Sequence, residues 1–211
     1  CFNGYLAHPT HTHTIGRYTD DTQMSIAVVE VILEGVEVED DALRLQFADA
    51  FVRAFRRDRR DGYARRFQAF LESDAAVTGE AFLCNIRPDS DKNGAAMRAV
   101  PIGVLSDPRD VIRVAFVNAR LTHDTFDGRM SSVVVALLSH FALYTRRSFE
   151  TFPDWITAYG LPITSKLKDI VQGMFDQDWD GPVQRVGDTS VARATIHAVI
   201  HLLTKTYGLR E

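Results

Sequence analysis

The stretch THDTFDGRMSSVVVALLSHFALYT, residues 122–145, decides the fold of this chain. After a short polar start, its residues are apolar on most faces of a helix. A helix of this kind is buried inside a protein, so the stretch predicts a central helix. Alternation typical of strands is scarce, and no internal repeat or low-complexity linker interrupts the chain. We therefore expect one all-α, multi-helix domain that spans residues 1–211.

Other helices are predicted on both sides of the central one, from apolar residues that recur at helical spacing. The first begins after Asp21, buries one face and is closed by Gly35. The second is capped by Asp40 or Asp41 and carries a row of apolar side chains. The remaining predicted helices are 63–71, one that begins near Asn93 and is interrupted by Pro101, one that opens at Asp107-Pro108, and 188–206.

The composition argues against several classes of protein. The 211 residues are 45% hydrophobic and 25% charged, which is ordinary for a soluble globular chain. The net charge of -4 gives no general basic field, so nucleic acid is an unlikely partner. No apolar run approaches the ~20 residues that span a bilayer, and two cysteines predict no disulfide framework. We expect a cytoplasmic protein with no membrane contact; its start at Cys1 instead of methionine indicates processing or an incomplete N-terminus.

The first predicted helix begins with an acidic sequence, TDDTQ at residues 19–23. One interpretation is a capping box, in which Asp20 caps the helix and Gln23 reaches back to it. The other is a metal site, because two adjacent carboxylates flanked by hydroxyls make an all-oxygen cluster that suits Mg²⁺ or Mn²⁺. A cation would need further oxygens, and GDTS at residues 187–190 offers them just before the last apolar helix.

Two further polar segments precede apolar helices. Residues 89–98, DSDKNGAAMR, open a helix with small residues that leave its backbone N–H groups accessible to a phosphate, although a plain Asx-turn has the same pattern. His123 lies at the predicted start of the central helix, where it is either a buried structural histidine or a ligand contact. Four polar helix starts of this kind suggest one polar pocket lined by helix N-termini.

The order of these segments resembles that of the ADP-ribosylglycohydrolase family, which includes the dinitrogenase-reductase-activating glycohydrolases and crystallin-like relatives. The resemblance implies an all-α, metal-dependent hydrolase that cleaves the N- or O-glycosidic bond of an ADP-ribosyl group. The partner would be an ADP-ribosylated protein or an ADP-ribosyl small molecule, and the cofactor would be Mg²⁺ or Mn²⁺, as a binuclear centre or a single ion. The segments that carry the resemblance are 18–24 (YTDDTQM), 93–98 (NGAAMR) with Pro101, 121–123 (LTH) and 187–189 (GDT).

The resemblance also implies roles for individual residues. The implied metal ligands are Thr19, Asp20, Asp21, Asp188 and Ser190. The implied substrate contacts are Asn93, Gly94, Ala95, Met97 and His123. The catalytic candidates are Asp21 and Asp91, of which Asp91 would act as a base.

Two departures from the family pattern bear on activity. The last block of the family usually reads Asp-x-Asp-Thr, and here Ser190 and Val191 replace its second half. A neutral hydroxyl in place of a carboxylate weakens the hold on a hard cation. Asn3 aligns loosely with a family glutamate, and an amide cannot act as a base. These departures leave open an alternative, a catalytically degenerate relative that binds ADP-ribose or a partner without turnover.

Other conspicuous patterns have simpler interpretations. The arginine-rich run at residues 53–66 predicts a solvated helix end with local ion pairs. The alternating histidines of residues 8–13 predict a polar loop. His197 and His201 are separated by four positions, but the glutamate of a zinc-protease motif is missing between them, so we expect core or interface histidines.

Overall fold

The computed structural model describes residues 16–158, 169–173 and 191–205, and every regular element within these ranges is a helix. None of these helices is both long enough and apolar enough to cross a membrane. The all-α fold predicted from the sequence is confirmed. The chain divides into two units, Cys1–Ile86 and Arg87–Glu211, so the single domain over residues 1–211 stays a prediction.

The first unit is built around two packed helices. Its described elements are α1 (Asp20–Glu34), α2 (Asp40–Arg57), α3 (Arg65–Glu72) and α4 (Gly79–Asn85), with a 3₁₀ turn at Asp74–Ala76. The predicted apolar faces of α1 and α2 are buried, through Val28 and Val31 on α1 and Phe47 and Phe51 on α2. Phe51 also meets Phe82 of α4 edge to face, with ring centroids 6.5 Å apart. Since a fully buried side chain of this size contributes about 1.5–3 kcal/mol, the aromatic row on α2 holds α1 and α4 in place.

The second unit surrounds the predicted central helix. Its described elements are α5 (Gly94–Met97), α6 (Pro108–Arg120), α7 (Phe126–Tyr144), α8 (Phe152–Ala158), α9 (169–173) and α10 (Ala192–Lys205), with 3₁₀ segments at Val100–Val104 and Phe149–Thr151. Every residue of α7 from 130 to 138 is buried. The helix packs against α5, α6, α10 and the 3₁₀ segment Val100–Val104. The prediction that this stretch forms the centre is confirmed.

The central helix begins at Phe126, and the prediction that residues 121–124 start it is wrong. The backbone N–H of His123 donates to the carbonyl of Ala119 at 2.8 Å, so these residues complete the end of α6. Thr125 then caps α7 by accepting the N–H of Gly128 at 3.1 Å. The polar residues before this apolar run therefore belong to the connection between α6 and α7 and not to α7 itself.

Other element boundaries also differ from the predictions. The helix predicted near Asn93 is a single turn of four residues, α5, and Pro101 opens the following 3₁₀ segment because it has no N–H to continue a helix. The third helix begins at Arg65 instead of residue 63. The last one begins at Ala192, while residues 188–190 lie outside the described residues. The short helices α4 and α8 were not predicted.

Candidate functional site

The first unit presents an acidic block, which we define as Thr19, Asp20 and Asp21, at the start of α1. Thr19 is the N-cap residue with an extended backbone (φ -111°, ψ -167°), but its side chain makes no capping hydrogen bond. Asp20 and Asp21 follow in the first turn, and all three residues are half-buried. The Thr19 hydroxyl is thus not committed to the helix, and the block brings hydroxyl and carboxylate oxygens together at one helix end.

The capping-box interpretation of this sequence is wrong, because Gln23 is used elsewhere. Its side chain is only 2% exposed and faces the end of α2. Its amide nitrogen donates to the carbonyls of Ala54 (3.2 Å) and Asp58 (2.5 Å). Its amide oxygen accepts the hydroxyl of Tyr63 at 2.6 Å. Gln23 therefore binds two carbonyls at the α2 terminus instead of reaching back to the start of α1.

The electrostatics of the acidic block favour a bound cation. Burial and the neighbouring charge of Asp20 raise the pKa of Asp21 to about 6. Ionising both carboxylates is therefore unfavourable unless a positive charge compensates them. Two carboxylates and a hydroxyl are hard oxygen donors, so the donor set fits Mg²⁺ or Mn²⁺.

The acidic block alone does not make a complete metal site. Among the described residues, no group of three or more His, Cys, Asp or Glu side chains could hold a metal ion. A cation here would need further ligands, such as water or residues outside the described ranges. The predicted ligands Asp188 and Ser190 lie outside those ranges, as does Asn3.

A loop that follows α2 lies against the acidic block. Gly62 has a φ of +116°, and a Cβ atom at this position would collide with the Asp20 carboxylate. The loop is tied to the residue before the block, because the Tyr18 hydroxyl donates to the carboxylate of Asp58 at 2.5 Å and the Arg60 guanidinium stacks 3.9 Å from the Tyr18 ring centroid. The Asp-Gly pair in this loop predicts a turn, but no local pattern predicts that the turn reaches Asp20.

In the second unit, the segment 89–94 lies beside the connection between α6 and α7. Asp89 and His123 form an isolated antiparallel bridge. The Thr125 hydroxyl donates to the carbonyl of Ser90 at 3.1 Å, so the residue that caps α7 also holds this segment. Two of the predicted polar segments are therefore in direct contact.

The same segment also contacts the start of α10. Lys92 bridges to Val191, and the N–H of Ala192 donates to the carbonyl of Asp91 at 3.0 Å. Val191 directly follows the predicted ligand Ser190 in the chain. We call these three segments the polar junction: 89–94, 122–125 and 191–192. Contact is thus shown between the predicted segments 89–98 and 121–124. The predicted segment 187–190 lies outside the described residues and the acidic block belongs to the other unit, so the single polar pocket stays a prediction.

The predicted substrate-binding residues lie at the polar junction, with different exposures. Gly94 lies against His123: a Cβ at Gly94 would be 3.1 Å from Cε1 and 3.3 Å from Nε2 of that ring. Ala95 is fully buried, its backbone included, so it has no surface for a ligand, whereas Met97 is half-buried. Asn93 is the N-cap residue of α5, but this helix has one turn and hence a weaker macrodipole than the predicted helix. Asp91, the candidate base, is exposed.

His123 is connected to a buried arginine, which belongs to the motif at residues 93–98 but to which the sequence analysis assigns no role. Arg98 is 3% exposed, and its guanidinium donates from Nε to Asn118 Oδ1 (2.8 Å) and from Nη2 to Thr122 Oγ1 (2.9 Å). Thr122 Oγ1 lies 2.6 Å from Nδ1 of His123. Burial and the nearby Arg98 lower the pKa of His123 to about 3, so the ring is neutral at physiological pH. A neutral His123 can exchange hydrogen bonds with a ligand but carries no charge to offer it.

The arginine-rich run has a local ion pair of the predicted kind, between Arg60 and Asp58 two positions away. Two further pairs are not local: Arg57 pairs with Glu30 at 2.6 Å and Arg53 with Glu34 at 3.0 Å, each between α2 and α1. His197 and His201 are half-buried on α10, and the histidines of residues 8–13 lie outside the described residues. The run therefore stabilises the surface of the first unit, and exposed pairs of this kind contribute only about 0–1 kcal/mol each.

Comparison with known proteins assigns the chain to a family. The model of the ADP-ribosylglycohydrolase family matches residues 2–208, which is nearly the whole chain. The chain belongs to this family, as its sequence motifs predicted.

Individual relatives carry the name ADP-ribosylhydrolase ARH3. The protein from Xenopus tropicalis is 33% identical over 144 residues, which cover 65% of this chain and 40% of that protein. The protein from Gallus gallus is 30% identical over 67% of this chain and 39% of its own length. The human protein is 24% identical over 81% of this chain and 49% of its own length. The chain therefore spans less than half the length of these relatives.

Proposed function

We propose that this chain carries a hydrolase site that uses Mg²⁺ or Mn²⁺ to cleave the N- or O-glycosidic bond of an ADP-ribosyl group. The group would be attached to a protein or to a small molecule. The observation that carries the proposal is the acidic block, where burial and Asp20 hold the pKa of Asp21 at about 6. A pair of carboxylates in this state gains from a divalent cation, and the chain belongs to a family of ADP-ribosylglycohydrolases.

The reaction breaks the C1″–N or C1″–O bond and joins C1″ to the oxygen of a water molecule. The proton lost by the water ends on the departing nitrogen or oxygen. Positive charge develops on the ribose carbon in the transition state, so the site must fix the ribose, orient the water and place negative charge nearby. The cation, when bound, supplies a more acidic water and a hold on ribose hydroxyls.

The residues of the acidic block would hold the cation. Asp20 and Asp21 provide the charge, and Thr19 provides a neutral oxygen. Asp21 is also the catalytic candidate of this group, because its carboxylate, once ionised, stabilises positive charge on the ribose carbon. The predicted ligands Asp188 and Ser190 would complete the set.

The residues of the polar junction would hold the ADP-ribose. The backbone N–H groups of Asn93 and Gly94 would face the phosphates or the ribose, with Met97 beside them, whereas Ala95 is buried behind them. His123 would contact the ligand through its neutral ring. Asp91, with an exposed carboxylate, is the proposed base that accepts a proton from water.

The alternative is a relative that binds ADP-ribose or a protein partner and does not turn over. The observation that favours it is the last family block, where Val191 follows Ser190 and pairs its backbone with Lys92. Valine has no donor for a metal, and a serine hydroxyl is a weaker ligand than a carboxylate. Turnover, and not metal binding, separates the two functions.

The experiment is release of ADP-ribose from a panel of ADP-ribosylated proteins and small molecules, in Mg²⁺, in Mn²⁺ and with excess chelator. The test variant is Asp20→Asn/Asp21→Asn. Its matched control is Asp40→Asn/Asp41→Asn, an acidic pair in the first turn of α2. We expect metal-dependent release that falls at least a hundredfold in the test variant and persists in the control. No release with any substrate, together with binding of free ADP-ribose, would establish the alternative.

A further inference from the structure

We propose that Arg98 and Thr122 are positioning residues that fix His123 as the tautomer with its proton on Nε2. In this tautomer, Nδ1 accepts the Thr122 hydroxyl and Nε2–H is a hydrogen-bond donor beside Gly94. The tautomer follows from the contacts of the second unit alone. The use of Nε2–H by an ADP-ribosyl ligand rests on the proposed function.

The direction of the hydrogen bonds is set at Arg98. A guanidinium has donors and no acceptor, so its contact of 2.9 Å with Thr122 Oγ1 must be accepted by the hydroxyl oxygen. Arg98 cannot turn away easily, because Nε donates to Asn118 Oδ1 at 2.8 Å and Nη2 also donates to the carbonyl of Asn118 at 2.9 Å. The two contacts with Asn118 thus fix the orientation of the guanidinium.

The hydroxyl proton of Thr122 therefore has one destination. Among the described residues, the side-chain oxygen of Thr122 contacts Nη2 of Arg98 and Nδ1 of His123, the latter at 2.6 Å. Accepting from a cation makes a hydroxyl a better donor, since hydrogen bonds in a chain polarise one another. Thr122 consequently donates to Nδ1, and a neutral imidazole that accepts at Nδ1 carries its proton on Nε2.

Two glycines lie against His123, Gly128 against its backbone and Cβ atom and Gly94 against its ring. A Cβ at Gly128 would lie 2.6 Å from the carbonyl oxygen and 2.7 Å from Cβ of His123, and a Cβ at Gly94 would lie 3.1 Å from its Cε1. The backbones of α5 and α7 therefore approach His123 from two sides. His123 is only 7% exposed, and a flip that exchanges Nδ1 and Nε2 would break the Thr122 contact, for which the described residues offer no equivalent side-chain partner.

The tautomer limits what His123 can do. Nε2–H can donate to an oxygen of a phosphate or of a ribose hydroxyl, but it has no lone pair with which to accept a proton. Nδ1 has a lone pair that is occupied by Thr122. His123 is therefore a neutral donor that orients a ligand, and the base of the reaction must be another group.

The test is the ¹⁵N spectrum of the histidine rings at neutral pH, recorded for the whole chain. The chain supplies an internal reference, because Nδ1 of His140 lies 2.9 Å from the carbonyl of Leu105 and must donate to it. We expect His123 to show a protonated Nε2 and a hydrogen-bonded, unprotonated Nδ1, opposite to His140. A protonated Nδ1 on His123 in the unmodified chain would overturn the proposal.

Variants of the two positioning residues extend the test. Thr122→Val removes the hydroxyl donor at nearly constant volume. The ¹⁵N signal of His123 Nδ1 should then shift toward that of a nitrogen without a hydrogen bond, or the two tautomers should mix, while the signals of His140 stay unchanged. Thr122→Ser keeps the hydroxyl and should restore the original signals. We call the hydrogen bonds from Arg98 through Thr122 to His123 the relay. An unchanged His123 spectrum in folded Thr122→Val would contradict it. Arg98→Lys retains a charge but loses the paired contacts of the guanidinium with Asn118, so it should also shift the His123 signals. If only Thr122→Val shifts them, Arg98 is not a positioning residue.

Binding of free ADP-ribose separates this inference from the proposed function. Loss of one oriented hydrogen bond should weaken binding by Thr122→Val about tenfold, with recovery in Thr122→Ser. If the chain binds no ADP-ribose but His123 has the expected tautomer, the relay stands and the proposed function fails. If ADP-ribose binds equally well to Thr122→Val while the tautomer changes, His123 is not the donor to the ligand.

Discussion

At the scale of single residues, the acidic block and His123 each depend on contacts with residues far from them in the sequence. The contact of Gly62 with Asp20 and the relay from Arg98 to His123 join residues more than twenty positions apart. No periodicity encodes such contacts, because they arise only when the helices pack.

The raised pKa of Asp21 predicts how the metal-free protein responds to pH. Its carboxyl group has a pKa of about 6 in the folded chain, against an ordinary value of 3.8, so the folded chain binds more protons than the unfolded one. Stability therefore falls as pH rises from about 4 to about 6. Asp21→Asn removes the free-energy cost of ionising this carboxyl group in the folded chain. It should therefore raise the free energy of unfolding at pH 7 by about 1 kcal/mol, a value already reduced for partial exposure. Thermal unfolding in chelator at pH 4 and pH 7 measures this.

The control for this prediction is Asp41→Asn, in the first turn of α2, where the residue is exposed. This variant removes a negative charge that stabilises the positive N-terminal end of α2, so its effect on the free energy of unfolding should be neutral or mildly destabilising. Equal stabilisation by both variants at pH 7 would show that general surface charge, and not the acidic block, is responsible.

Two glycines with positive φ give a second prediction for single residues. Gly62 (φ +116°) lies against Asp20, whereas nothing lies within 4 Å of a Cβ at Gly35 (φ +98°). Gly35→Ala should cost about 1 kcal/mol from backbone strain alone. Gly62→Ala should cost more and should also weaken Mn²⁺ binding, because the new methyl group displaces the Asp20 carboxylate. Equal Mn²⁺ affinity in the two variants, measured by calorimetry, would contradict this role of the loop.

At the scale of elements, the long apolar helices were predictable and their ends were not. The apolar run of α7 specifies a buried helix wherever it lies, and α1 and α2 follow from their faces. The polar residues before α7 are not part of the helix, because the side chain of Thr125, and not an earlier residue, caps it by accepting the N–H of Gly128 in its first turn. Short helices such as α4 and α8 have only seven residues each, too few for a clear periodic signal.

The double use of Thr125 leads to a prediction for the polar junction. Its hydroxyl oxygen caps α7, and its hydroxyl donates to Ser90, so Thr125→Ala removes two hydrogen bonds. We expect a loss of about 1–2 kcal/mol and weaker ADP-ribose binding, since the segment 89–94 loses an attachment. Thr78→Ala is the matched control, because Thr78 caps α4 through Ala81 at 3.1 Å and is exposed.

The control should cost about 1 kcal/mol and leave ADP-ribose binding unchanged. Denaturant unfolding and calorimetric titration with ADP-ribose measure the two effects. A Thr125→Ala protein that binds ADP-ribose as well as the Thr78→Ala protein would remove the link between the α7 cap and the ligand site.

At the scale of the whole molecule, family membership covers nearly all of the chain, and the chain matches less than half of its ARH3 relatives. The motifs identified the family from the sequence because four short segments occur in the family's order. Turnover stays a prediction, because residues 188–190, where the last motif departs from the family pattern, lie outside the described residues. The described residues give two parts with distinct chemistry, the acidic block of the first unit and the polar junction of the second.

The most direct measurement of the central claim is a calorimetric titration of the chain with Mn²⁺ at pH 5 and pH 7. If the acidic block holds the cation, Asp21 must be ionised, and a pKa of about 6 makes binding about tenfold weaker at pH 5. Asp20→Asn/Asp21→Asn should abolish this binding, and Asp40→Asn/Asp41→Asn should leave it unchanged. Mn²⁺ binding that persists in Asp20→Asn/Asp21→Asn, or no Mn²⁺ binding by the unmodified chain at pH 7, would contradict a metal site at the acidic block.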